Sequence, residues 1–458
     1  MPKLPILKAL VYAGMGLVAL VSNGKGQQLL DEVNFRQGQF GGVRLYGVSV
    51  FSGYSSSAYP ASSSGGIPPP GSSALGSDVT YGATASLGWQ RHRNRTDLSV
   101  FYSGTYSGMA RYSNLNAFNH SIAIQASRTL GRKWTLTASG GVQDSTLPQF
   151  IFAPSNLSVL SQVPATFDDL AASFSIGQFS SSQVASMLSG APTLDTPARS
   201  LLLGNRVLSY SAQASVSYAA TSRLNFHFAS FAAAGQHLSS KDSATVPNYL
   251  MPRSMGATAG VGLSYALSPR TQLGANFEEF RQINAFQNAY VSTATVSVGR
   301  KLTERWFVDL SGGGSVIQVT HQPTGTPQNR QMVGNGSLGY RTFRHTLVAS
   351  YDRSSFSSFG FSAGTNTAAG ANWNWHRPGS LWSVFAGFGQ QQTRNTGFAS
   401  FSGWHTSTGF SRTLSEHTTV SAQYVYLSSS GNYVGTSQNL SIHSLRVSFG
   451  WNPQPNVR

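Results

Sequence analysis

A chain of 458 residues with 48 glycines, no cysteine, 40% hydrophobic residues and only 10% charged ones has room for two soluble domains or for one large barrel. The hydrophobic share is low for a soluble core of this size, helix formers are scarce, and serine, threonine, glycine and aromatics are plentiful, which suits strands with one wet face. The lack of cysteine excludes a disulfide framework, thiolate metal ligation and a cysteine nucleophile, and it fits passage through an oxidising compartment.

Residues 1–26 carry Lys3 and Lys8, an apolar run from Ala9 to Val21, and a small polar stretch with Gly24 and Gly26. This is the pattern of a secretory signal peptide, with cleavage expected after Gly26. The apolar run is shorter than the roughly 20 residues of a spanning helix, which disfavours a permanent anchor. Residues 27–40 read as a short periplasmic N-terminal segment.

Beyond it the sequence alternates with period two, as strands between two environments do. After a first strand near Val43 to Ser52, Val79 to Gln90 shows the pattern plainly: Val79, Tyr81, Ala83, Ala85, Leu87 and Trp89 are apolar, and the residues between them are small or polar. The rhythm continues through Leu98 to Tyr106, Phe118 to Ala126, Trp134 to Val142, Leu208 to Tyr218, Leu224 to Phe228, Met255 to Tyr265, Leu273 to Phe277, Tyr290 to Val298 and Trp306 to Val316. It ends with Met332 to Tyr340, Leu347 to Tyr351, Ala369 to Trp375, Trp382 to Phe388, Trp404 to Phe410, Val420 to Tyr426 and Leu445 to Trp451. The expectation is an all-β protein: a transmembrane antiparallel up-and-down β-barrel over residues 41–452, with about 18 strands (roughly 16–18) and a tail at 453–458.

The connections alternate in length. Eight are short and alike, such as Leu130-Gly-Arg-Lys133, Ala220-Thr-Ser-Arg223 and Lys301-Leu-Thr-Glu-Arg305. Between them lie longer ones, expected as extracellular loops at 54–78, 144–205 and 235–254, with a further loop from Ser428 to Gln438. Short turns on one side and long loops on the other place the former in the periplasm. Aromatics on the apolar register flank the short turns: Trp89, Trp134, Tyr218, Tyr265, Trp306, Tyr340, Trp375, Trp382, Phe410 and Trp451. Such a ring suits a membrane interface, whereas a soluble sandwich has no reason to repeat it. Loop lengths vary too freely for a propeller or solenoid.

The signal peptide, the alternating strands, the aromatic-flanked turns and the final strand His443-Ser-Leu-Arg-Val-Ser-Phe-Gly-Trp451 together resemble porin-like outer-membrane β-barrel proteins of Gram-negative type, over essentially the whole mature chain and without pointing to a subfamily. The resemblance implies insertion by the barrel-assembly machinery, which reads a terminal aromatic in many such proteins. Here Phe449 and Trp451 are followed by Asn452 to Arg458, a departure from that ending. It also makes an oligomer possible.

The residues opposite the apolar set are polar and mostly small, including Thr80, Thr84, Ser86, Gln125, Ser127, Gln213, Asn276, Asn335, Asn372 and Gln423. They would line a lumen too wide for side chains to fill. Charged or titratable pore-lining candidates are Arg44, His227, Glu278, Asp309, Asp352, His405 and Arg446. These either set selectivity or pair across neighbouring strands. In the 144–205 loop, Asp168 and Asp169 are candidates for narrowing the mouth, and a loop domain exposed on the surface is the alternative.

The formal charge of +16 would suggest nucleic acid in a soluble protein. About half of the Lys and Arg cluster at the short turns, including Arg91, Arg132, Lys133, Arg223, Arg270, Lys301, Arg305 and Arg377, so outer-membrane lipid is the expected partner and nucleic acid is not. Recruitment of anionic solutes is the alternative. No catalytic, cofactor-binding or metal residues are nominated. Gly334-Asn-Gly-Ser-Leu-Gly339 spells G-x-G-x-x-G but lies in a strand, and Glu278 and Glu279 face opposite sides. The sequence thus leads to a non-enzymatic outer-membrane channel for passive diffusion of small hydrophilic solutes. The alternatives are a non-channel barrel in surface-polymer export or an adhesive scaffold, and after it a Ser–His hydrolase on the wall.

Overall fold

The computed structural model describes residues 39–40, 43–56, 76–113, 116–146, 206–239, 254–283, 288–320, 329–357, 363–376, 379–395, 399–433, 436–451 and 453. A two-residue strand, β1 (Gln39–Phe40), turns back on the start of β2 (Val43–Ser55), with Phe40 opposite Val43. The chain then runs up and down through β3 (Asp78–Arg93), β4 (Thr96–Met109), β5 (Ala117–Leu130), β6 (Trp134–Thr146), β7 (Arg206–Ala219), β8 (Leu224–Ser239), β9 (Ser254–Ser268) and β10 (Thr271–Ile283). It continues with β11 (Asn288–Lys301), β12 (Trp306–Thr320), β13 (Asn329–Arg341), β14 (His345–Ser357), β15 (Ala363–His376), β16 (Trp382–Asn395), β17 (Ala399–Thr413), β18 (Thr418–Tyr433) and β19 (Thr436–Trp451).

From β2 onward every strand pairs antiparallel with the next, and β19 closes on β2 from Ser444 opposite Ser55 to Trp451 opposite Val48. The result is a closed antiparallel barrel of 18 strands, as the alternation predicts. Its two faces differ as a transmembrane wall requires. Along β12 the outward Leu310 is 52% exposed, while the inward Phe307, Asp309 and Ser315 are buried. The same parity puts Val50, Ile122, Phe228, Val296 and Met332 on the exposed outer surface.

Seven of the eight short connections of the sequence are tight turns, and the likeness of four of them has a local cause; Arg377 and Pro378 of the eighth lie outside the described residues. In Thr221 to Leu224, Thr303 to Trp306, Thr342 to His345 and Ser415 to Thr418, the first hydroxyl accepts the backbone N–H groups two and three residues on, at 2.9 to 3.3 Å. A Ser/Thr turn of this kind satisfies amides that leave the ladder. Asn94, Gly131 and Gly379 supply the positive φ that other turns need.

The expected loop from Ser428 to Gln438 is a correction: β18 runs to Tyr433, β19 starts at Thr436, and Ser430 pairs with Asn439 across a regular ladder. The stretch reads as a loop because apolar alternation stops, yet a strand that has left the bilayer has water on both faces and no need of it. The same reason carries β8 to Ser239, past the Gly235 at which the sequence expects a loop to begin.

On the outer face the short-turn aromatics pack in pairs, with ring centroids 4.4 Å apart for Trp134 and Tyr218 and 4.6 Å for Trp306 and Tyr340. The structure adds arcs near the opposite end: Tyr81, Tyr106, Phe118 and His120 on β3 to β5, and Phe388, Trp404, Tyr426 and His443 on β16 to β19. Trp382 to Phe388 and Trp89 to Tyr81 are six and eight residues apart. With tilted strands that is about 15–20 Å, comparable with the ~25 Å apolar band of outer-membrane barrels.

Three consecutive glycines on β12 test the wall's packing. A Cβ on the inward Gly313 would collide with the Ala294 carbonyl and lie 2.7 Å from Thr295 Cα, whereas one on the outward Gly312 or Gly314 meets nothing within 4 Å. Gly313→Ala is expected to lower thermal stability by about 1–3 kcal/mol or to block refolding. Gly312→Ala and Gly314→Ala should unfold within a few degrees of the parent in detergent.

Candidate functional site: the inner wall

The inward face is built from short polar side chains that satisfy one another across strands. Thr84 meets Thr105 at 3.1 Å, Ser383 meets Ser411 and Ser421 meets Ser448 at 2.6 Å, Ser311 Oγ donates to Asn335 Oδ1 at 2.8 Å, and Gln391 Nε2 donates to Asn366 Oδ1 at 3.0 Å. Cross-strand pairing lets small groups meet most of their hydrogen-bonding need along the wall, with no need to reach across the lumen.

All seven inward candidates stand on this face, in sectors of opposite sign. Arg44 is on β2 and Arg446 on β19, while Glu278, Asp309 and Asp352 are on β10, β12 and β14. Eight strands separate β19 from β10 on either side of the ring of 18, which puts Arg446 and Glu278 on opposite walls. Neighbour pairing between these candidates is therefore ruled out by topology: Arg446 sits between Gln423 and Gly53, Glu278 between Gly260 and Thr293. Asp352 accepts from Ser354 Oγ at 2.9 Å. His227 is buried with Nδ1 3.3 Å from Ser217 Oγ, and the His405 ring lies over Gly389 of the next strand.

The inner face, expected to be polar and mostly small, also carries large rings. Arg446 lays its guanidinium 3.9 Å from the centre of the Phe51 ring, and that ring fills the space a side chain at Gly82 would take. Tyr46, the extra residue of a bulge between Leu45 and Gly47, lies over Gly88 with its ring 5.6 Å from Phe101. Phe385 covers Gly409 in the same way. An aromatic laid on a cross-strand glycine shields backbone that would otherwise be bare. The signal in the sequence was an inward glycine opposite an inward aromatic, which shows only once the register is known. A second apolar group, Ala289, Val291 and Ile317 with Phe280 and Val319, is buried on the inner face where β10 to β12 reach the long-loop end.

At the short-turn end Asp97 lies between His92 Nδ1 and Ser127 Oγ, the latter at 3.4 Å, so the carboxylate occupies the middle place where the base of a Ser–His pair would have to be. Gly334 to Gly339 lies within β13, and Glu278 and Glu279 point to opposite faces. Asp168 and Asp169 lie outside the described residues. The ten aromatics expected at the interface stand on the outward register, nine beside short turns and Trp451 at the end of β19, and Lys133 and Arg412 stack on Tyr218 and Trp382 at 5.9 and 4.9 Å.

No family model matches the chain, and no curated protein matches it. Among solved structures it is similar to OccK2 (OpdF) of Pseudomonas aeruginosa in complex with glucuronate, at 10% identity over 91% of this chain and 100% of that one, with a TM-score of 0.44. It is similar to OccK1 (OpdK) of the same organism, at 11% identity over 89% and 98% with a TM-score of 0.42. The FrpB iron transporter of Neisseria meningitidis (F3-3 variant) shares 8% identity over 89% and 81%, with a TM-score of 0.42.

The natural absence of cysteine makes the sidedness of the wall directly measurable. In lipid vesicles, Glu278→Cys and Arg446→Cys are expected to react with a charged, membrane-impermeant thiol reagent, and Val296→Cys to be protected by lipid. Ala289→Cys, at a position with 0% exposure, should label at least about tenfold more slowly than Glu278→Cys. Equal rates at positions 278 and 296 would contradict the assignment of faces.

Proposed function

We propose that the protein is an outer-membrane channel that lets small hydrophilic solutes diffuse passively. The observation that carries this reading is the closed ring of 18 strands with an apolar outer face and an inner face of paired hydroxyls and amides. A ring of that size is too wide for such side chains to fill, so water enters unless loops block it. Arg44, Glu278, Asp352, His405 and Arg446 line the path, with Arg446 and Arg44 on one side and Glu278 and Asp352 on the other, while Asp309 and His227, 0% and 5% exposed, are buried within the wall. Asp168 and Asp169 remain proposed constriction residues of the 144–205 loop.

Outer-membrane lipid is the partner of the outer face. The short-turn rim combines aromatics with the stacked cations Lys133 and Arg412, a combination that holds anionic headgroups at an interface. Export by the signal peptide and insertion by the barrel-assembly machinery belong to the same reading, and an oligomer is compatible with it. The reading includes no covalent chemistry and no cofactor.

The burial of Ala289, Val291 and Ile317 on the inner wall favours a second reading, a barrel occluded at its long-loop end that acts in surface-polymer export or as an adhesive scaffold. Single-channel recording of the refolded mature chain in a planar bilayer separates the two. A channel gives stable steps that scale with bulk conductivity; a folded, inserted and silent barrel supports the second reading. In a salt gradient, Arg446→Gln should move the reversal potential toward cation preference and Glu278→Gln toward anion preference, each by a few millivolts. Shifts in the opposite sense would remove both residues from the conducting path.

A further inference from the structure

Three aspartates are almost wholly buried among the described residues, and their surroundings differ. Asp78, 4% exposed, accepts the backbone N–H groups of Val79, Arg111 and Tyr112 at 2.7, 2.9 and 3.2 Å. Asp97, 6% exposed, is held by His92 and Ser127. Asp309 is 0% exposed, and neither of its carboxylate oxygens has a hydrogen-bond donor. Directly across the ladder stands Ser337, 3% exposed, whose Oγ also has no partner. Three unsatisfied oxygens thus occupy one cross-strand pair of positions, whose Cβ atoms are expected about 4.5–5.5 Å apart.

Nothing adjacent supplies positive charge. The other cross-strand neighbour is Gly299, and the inward residues two places along β12 are Phe307 and Ser311. Ser311 spends its proton on Asn335. The diagonal Lys301 stands opposite Phe307, and its Nζ lies 3.4 Å from Glu304 Oε2. A buried carboxylate without donors is costly, so the site needs a proton or a cation. A proton on Asp309 is the competing solution, and a dependence of stability on the cation separates the two.

We propose that Asp309 and Ser337 form a site for one hard monovalent cation, sodium in the first instance, set into the inner wall between β11 and β13. The donor set is oxygen alone, which suits a hard cation and offers nothing to a transition metal. The single carboxylate balances one positive charge, whereas a divalent ion would leave an uncompensated charge in a buried place. The cation joins β12 to β13 through side chains, in a stretch of wall where Phe307 and Val348 are also buried. The site is independent of whether the lumen conducts.

The test is thermal unfolding of the refolded full chain in detergent, in chloride salts of sodium, potassium, N-methylglucamine and calcium at equal ionic strength and fixed pH. A ligand of the folded state raises its stability with concentration. Sodium is expected to raise the melting temperature by several degrees over N-methylglucamine. Asp309→Asn, which keeps the volume and removes the charge, should abolish the difference. Ser337→Ala should raise the half-saturating sodium concentration about tenfold, a change worth ~1.4 kcal/mol. If Asp309→Asn does not refold, the wild-type and Ser337→Ala titrations carry the test. Indifference of the wild type to the cation, full dependence retained in Asp309→Asn, or an unshifted Ser337→Ala titration would overturn the site. Stabilisation by calcium alone would overturn the monovalent assignment.

Discussion

A strand that crosses hydrocarbon cannot leave backbone N–H and C=O groups without partners, because no water is there to take them. Closure of β19 on β2 is the step that meets this demand, and it is made by one of the shortest seams in the ring: it runs only from Ser444 and Ser55 to Trp451 and Val48. The seam is prolonged beyond the strand by Ser56, whose N–H donates to the His443 carbonyl at 2.8 Å while its Oγ accepts the His443 N–H at 2.9 Å. With the ring closed, the pleat alone assigns every side chain to lipid or lumen. The period-two pattern is thus a consequence of closure as much as of strand geometry.

Glycine and aromatic residues then do different things on the two faces. Outside, rings pack on rings, as in Trp134 with Tyr218 and Trp306 with Tyr340. Inside, rings lie on glycines: Phe51 on Gly82, Tyr46 on Gly88, Phe385 on Gly409. An inward ring lying flat covers bare backbone without projecting far into the lumen. The Phe51 ring also supports the Arg446 guanidinium and keeps that charge against the wall.

What the sequence could reveal follows from what alternation encodes. The strand number, the facing of the alternating residues and seven of the eight short turns were legible, since all depend on which residues meet lipid. Where strands leave the bilayer the code fades, and the Ser428 to Gln438 stretch reads as a loop although it is the hairpin end of β18 and β19. The inward apolar group around Val291 and Ile317 was hidden because alternate apolar positions were assigned to lipid, and here both registers of β11 and β12 carry apolar residues. The facing of Asp309 was legible, but its lack of donors was not. That property depends on Gly299 and Ser337, which become its neighbours only when β11, β12 and β13 align.

The separation of charge around the ring also has a length scale. With strands about 4.8 Å apart and tilted, a ring of 18 measures about 35 Å across between backbones. The Debye length in physiological salt is about 8 Å, so across an open, water-filled lumen the Arg446 wall and the Glu278 wall would scarcely sense each other. Each then acts on what passes within a few ångströms of it, and a wide pore with these walls would discriminate ions weakly. Strong coupling between the sectors requires a narrowed or less hydrated passage. The buried apolar group at the long-loop end of β10 to β12 lies in the same sector as Glu278 and Asp309, so occlusion there would bring a passing solute nearer to the basic wall. In a channel built this way, selectivity would be governed less by how many charges face inward than by which arc of the wall is left open.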